Sequence, residues 1–195
     1  MRAIHCLLLL TSLAFTASPR TEAATYRIDP NHSTVVASWE HFGFTRTVLQ
    51  FSALDGQVVY DPANVGKSSV DVRIPFSGLL TGAPEFRDHL ASSQFFDADK
   101  FPEARFTSTS VQAAGTGKLK VVGNLTLKGI TRPVTLDATL NKAGMQPMAR
   151  RDAVGFSAKG VIRRSDFDMG DYAPNVSDEV ELQIFVEAIV PRTDP

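Results

Sequence analysis

Three histidines lie beyond the first two dozen residues: His32, His41 and His89. An imidazole is the side chain best placed to exchange a proton near neutral pH. No two of the three are spaced as a pair of histidine ligands on one element would be. No His-x-His or His-x-x-x-His pair offers neighbouring zinc ligands. No Gly-x-Ser-x-Gly elbow and no glycine-rich phosphate loop is present. Arg87, Asp88 and His89 are consecutive. On a helix such neighbours diverge by roughly 100° and cannot serve one centre. The reading is therefore no catalytic residues and no metal. What remains is the orientation of a polar group. His41 shares the phase of Val35, Ala37 and Trp39, so it should point inward, as a satisfied core residue or as a contact for a ligand's polar end. Arg87 and His89 precede Phe95 and Phe96, where the strand rhythm breaks. That stretch reads as the lid of a cavity or as a helical plug. His32 follows Asp29-Pro30-Asn31 and reads as a turn residue capping backbone groups. Arg163 and Arg164 read as cations that could meet an anionic headgroup, or, as the preferred reading, as partners in an exposed ion pair with Asp166 or Asp168.

The elements that position these residues are strands. Apolar and polar residues alternate with period two in run after run. Val70, Val72, Ile74 and Phe76 alternate with Ser69, Asp71 and Arg73. Leu119, Val121, Leu125 and Leu127 alternate with Lys118, Lys120, Asn124 and Thr126. Val134, Leu136, Ala138 and Leu140 form a third run, and Val154, Phe156, Ala158 and Ile162 a fourth. Val180, Leu182, Ile184, Val186 and Ala188 form the last. Turn signals separate them: Asp29-Pro30-Asn31, an Asp55-Gly56 hairpin between Phe51 and Val58, Asp61-Pro62-Ala63-Asn64, Ala114 to Gly117, and Lys128-Gly129. Asn141 to Arg151 reads as a longer polar loop. One helix is expected, Pro84 to Ala91. This is an all-β chain of about eight or nine antiparallel strands. Closure into a single barrel removes the costly edges, with a β-sandwich as the alternative. A barrel of about eight strands is either filled by its side chains or just wide enough for one small ligand. Gly123 and Gly160 in inward phase agree with a cavity, and composition leaves both open.

Length and charge set further bounds. The chain has 195 residues and a net charge of −1. That is one domain with no basic stripe, which argues against nucleic-acid binding. Arg2, a short apolar run to Phe15 and the Thr21-Glu22-Ala23 site read as a cleaved signal peptide over residues 1–23. Residues 24–195 then form the domain, exported and not membrane-spanning. Cleavage removes Cys6, the single cysteine, so no disulfide and no thiol chemistry are expected afterwards.

Several stretches together resemble the YceI-like family. They are Tyr26-Arg27-Ile28-Asp29-Pro30-Asn31-His32-Ser33, Glu40-His41-Phe42-Gly43-Phe44, Arg87-Asp88 with Leu90, Phe95-Phe96-Asp97, Phe101-Pro102, Gly123 to Gly129 with Arg132-Pro133-Val134, and Arg164-Ser165-Asp166-Phe167. The resemblance spans nearly all of the exported chain. It implies a lipocalin-like antiparallel barrel with an elongated apolar pore and a periplasmic location. It implies a polyisoprenoid or similar amphiphile, quinone-like or a prenyl phosphate, as ligand, with links to transport, storage or stress. It also implies a b-type membrane cytochrome as a partner. No cofactor other than such a lipid is implied. The expected wall is Val35, Ala37, Trp39, Val72, Ile74, Phe106, Leu125, Leu136, Phe156 and Ile184. His41, then Arg87 and His89, are expected at the headgroup. Ala37 departs from the phenylalanine usual in the family, and Thr47 to Phe51 replaces a glycine-containing run. Two rival readings remain: a protein partner of a b-type membrane cytochrome, with any lipid incidental, and a small periplasmic hydrolase, for which no nucleophile with an adjacent base is present.

Overall fold

A computed structural model of the protein describes residues 22–192. The signal peptide expected over residues 1–23 lies outside them, apart from Glu22 and Ala23. The strands are β1 (Ala24–Ile28), β2 (Thr34–His41), β3 (Thr45–Phe51), β4 (Asp55–Tyr60), β5 (Ser69–Pro75), β6 (Leu79–Leu80), β7 (Glu103–Gly115), β8 (Lys118–Leu127), β9 (Ile130–Gln146), β10 (Arg151–Arg163) and β11 (Glu179–Ile189). The helix α1 spans Pro84–Ala91, as the sequence reading expected, with proline in its first turn, where a missing N–H costs nothing.

Antiparallel pairing runs β1-β4-β5-β7-β8-β9-β10-β11, and β11 pairs back onto β1. This closes an eight-stranded barrel, and the sandwich alternative falls. Above the closed ring, β11 continues onto β2, β2 onto β3, and β3 onto the short β6. The wall therefore changes partners with height. β11 meets β1 through Ala188 and Ile189, then β2 through Glu181 to Phe185.

Two expected turns are corrected. The Asp55-Gly56 hairpin is absent, because β3 and β4 each pair with other strands. β4 lies between β1 and β5, and β3 lies between β2 and β6. The chain bends at Ser52–Leu54 instead, where Ala53 takes φ 58° and Ser52 N–H donates to the Gly78 carbonyl at 2.9 Å. Gly56 serves a close approach to β5, since a Cβ there would lie 2.1 Å from the Asp71 carbonyl oxygen. The Asn141–Arg151 loop is also absent. β9 runs on to Gln146, and Asn141 falls at a register shift opposite Gly155–Phe156.

Inward phase is held throughout. Leu119, Val121, Leu125, Leu136 and Ala138 are buried, while Lys118, Lys120 and Asp137 face water. Gly123 leaves room for a ring from the next strand: a Cβ on it would lie 2.4 Å from Phe106 Cζ and 2.7 Å from the Thr107 carbonyl oxygen. Gly123→Ala should therefore push Phe106 off its seat and lower stability by about 1–3 kcal/mol. A urea midpoint equal to that of the parent protein would show that the ring has space to yield.

A two-chambered apolar bore

The axis of the barrel is hollow. An upper chamber of about 550 Å³ sits above a lower one of about 150 Å³. Val35, Ile74, Leu125 and Leu182 belong to both linings and form the waist. The wall residues Val72, Ile74, Phe156, Ala158, Leu182 and Ile184 point to the axis yet are only half-buried, because they face space instead of atoms. A protein interior is otherwise packed like an organic crystal. The combined size falls in the range of small-molecule sites.

Polar groups are confined to the two ends. Ser68, Ser69 and Tyr60 close the lower chamber, where the Tyr60 ring meets Phe156 edge-on at 5.6 Å. Burial, and then the nearby Asp61, raise the Tyr60 pKa. Thr47, His41, His89, Arg164 and Tyr172 border the upper chamber. The mouth is aromatic. Phe76 and Phe96 stack at 4.6 Å, and Phe51 meets Phe96 edge-on at 6.0 Å. α1 contributes Phe86, His89 and Leu90 to the lining, and His89 rests against Phe95 at 4.8 Å.

The expected wall positions all reach the bore. Ala37, Trp39 and His41 line the upper chamber, Val72, Phe106, Leu136, Phe156 and Ile184 the lower, and Val35, Ile74 and Leu125 both. His41 differs in depth. It is exposed, because β2 reaches the rim two residues after buried Trp39, and its ring meets Phe42 at 4.8 Å. A satisfied core histidine is thus not what the structure holds. Arg87 lies apart from both chambers, in a surface groove with Ser77 and Leu79, and donates to the Ser77 carbonyl at 3.3 Å. Successive helix residues diverge by roughly 100°, so Arg87, one residue after Phe86 and two before His89, does not face the bore.

Arg164 borders the upper chamber and does not form the exposed ion pair expected of it with Asp166 or Asp168. It is 6% exposed. Its guanidinium donates to the carbonyls of Ser177, Met169, Asp171 and Val176 at 2.9, 2.7, 3.0 and 2.8 Å. Burial lowers its pKa, and the charges of Asp178 and Asp171 oppose that shift. It clamps the loop that supplies Met169, Tyr172 and Val176 to the upper chamber. The signal was available in the sequence: Arg164 keeps the inward phase of Phe156, Ala158 and Ile162 one step past the end of β10. Among the described residues, no nucleophile with an adjacent base borders the bore. The arrangement can enclose an apolar chain and leave a polar end beside His41 and His89.

Residues 26–188 match the YceI-like domain. Protein YceI of Salmonella arizonae is 39% identical over 182 residues, which cover 92% of this chain and 94% of that protein. The crystal structure of Burkholderia cenocepacia BcnA superposes with a TM-score of 0.75 at 28% identity, over 83% of this chain and 99% of its own. A polyisoprenoid-binding domain from Saccharophagus degradans, implicated in plant cell wall breakdown, has the same fold. It superposes with a TM-score of 0.64 at 13% identity, over 85% of this chain and 98% of its own.

Proposed function

The chain belongs to the YceI-like family, and from that premise we propose that it is a periplasmic binding protein whose bore shields the apolar chain of an isoprenoid or similar amphiphile. The observation that carries this reading is the half-buried inward wall around two adjoining chambers lined almost wholly by apolar residues. The polyisoprenoid-binding domain with the same fold supports the class of ligand. Transfer of an apolar chain from water into the bore contributes about 25 cal/mol for each Å² covered. Because that term has no direction, the aromatic mouth and the polar rim set which end stays outside. His41 and His89 at the rim would meet the headgroup. Export through residues 1–23 would bring the barrel to lipids of the cell envelope, for transport, storage or protection under stress. Binding is favoured over catalysis because, among the described residues lining the bore, no nucleophile has an adjacent base.

Ala37 offers the test. It lines the upper chamber between Leu49 and Leu182 on the adjoining strands. In a packed core, Ala37→Phe would cost about 1–3 kcal/mol. In a hollow bore the ring should enter the chamber with little change in melting temperature and displace or shorten the bound lipid. Thermal unfolding is read beside extraction of bound lipid, for both proteins. A large drop in melting temperature, with no lipid in either protein, would mean a solid core with no binding site.

A further inference from the structure

Asp29, His32 and Glu187 meet on the outer face of the barrel, at the corner between β1 and β2. One ligand atom from each lies within 4.8 Å of the other two. The backbone fixes this corner before any ion arrives. Asp29 N–H donates to the Glu187 carbonyl at 2.8 Å. Ser33 Oγ donates to the same carbonyl and accepts from Glu187 N–H, each at 3.1 Å. Asp29 Oδ1 accepts from Asn31 N–H at 2.9 Å, and Oδ2 lies 2.8 Å from His32 Nδ1. Glu187 Oε1 is sealed from solvent and accepts no hydrogen bond. A buried carboxylate oxygen without a donor or cation bears the full cost of its lost hydration. Two carboxylates around one imidazole also leave negative charge in excess.

We propose that Asp29, His32 and Glu187 form a binding site for a divalent transition-metal ion of the zinc class. Two carboxylate oxygens and one imidazole nitrogen are ligands zinc accepts, with a fourth position left for water. The His32 side chain is 63% exposed, so it can rotate to close the ligand distances to about 2.0–2.2 Å. Spacing along the chain hides the set, because Glu187 comes from the last strand. The site is separate from the bore, since Glu187 alternates with inward Val186 and Ala188. It sits where β11 changes partner from β1 to β2, so an ion there ties both halves of the split strand to β11.

Titration of the metal-free protein with Zn²⁺ by calorimetry tests this. Saturable binding of one equivalent is expected, with a rise in melting temperature because the ion binds only the folded form. His32→Ala and Glu187→Gln, checked as folded by circular dichroism, should each weaken binding by about tenfold or more. Asp137→Asn, an exposed carboxylate on β9, should leave it unchanged. No saturable binding at millimolar Zn²⁺, or binding that survives both substitutions, overturns the proposal.

Discussion

Arg164→Met should lower folding stability by about 3–5 kcal/mol, the cost of leaving several buried carbonyls without their charged donor. Arg164 stands at the end of β10 and reaches across to four carbonyls of the segment leading to β11. Methionine fills a similar volume but donates nothing, so the carbonyls of Met169 and Val176, whose bonds to Arg164 are buried, lose their partner or pull in water. The neighbouring lock is separate: Asp178 accepts from Ser165 N–H at 2.8 Å and from its hydroxyl at 2.7 Å. The loop should therefore loosen without leaving β10 altogether. Arg164→Lys should recover only part of the loss, because an ammonium cannot reproduce the planar fork of donors. Urea unfolding of the three proteins measures the effect. A methionine variant with the parent's midpoint would mean that Arg164 does not hold the loop.

The second large effect is expected at Ile184. It lines the lower chamber, opposite Val35 on β2 and Ala158 on β10. Among the described residues no lysine or arginine borders that chamber, so Ile184→Asp places a carboxyl among apolar side chains with no cation beside it. The cost should be several kcal/mol near neutral pH. Burial would raise the pKa of the new carboxyl in the folded state above its unfolded value. The folded form then holds more protons, so stability falls as pH rises and the penalty shrinks on acidification. Gln183→Asp, one residue away and facing water, should stay within about 0.5 kcal/mol of the parent. Equal urea midpoints for the two variants would show that the inward phase of β11 is misassigned.

Alternation made most of the barrel readable. β8 to β11 carry one apolar residue at every second position, and that period alone names their inward faces, from Leu119 to Ala188. Pro84 marked the start of α1 because proline is tolerated only in a helix's first turn. The bends were hidden. Asp55-Gly56 has the composition of a tight hairpin, yet it lies in a strand whose neighbour is β5, and the real bend at Ser52 is held by Gly78, 26 residues away. Such a contact leaves no mark within a local window. The split of β1 from β2 was likewise visible only as a turn, while its consequence, that both halves share β11, comes from long-range pairing. In the bore, phase located the wall residues, but it could not tell that His41 stands at the rim, because depth depends on where the strand ends relative to its neighbours. Arg164 was missed for a different reason. Its charge suggested the surface, whereas carbonyls from a loop not yet folded into view supply its partners.

Native mass spectrometry of the protein purified without detergent shows whether the bore carries an apolar chain. The expected spectrum contains a one-to-one complex that releases, on activation, a long-chain isoprenoid or similar amphiphile, and whose abundance falls in Ala37→Phe. A spectrum showing only the bare polypeptide, from material taken straight from the cell envelope and with no uptake when isoprenoid quinone is supplied, would show that the bore carries no such chain.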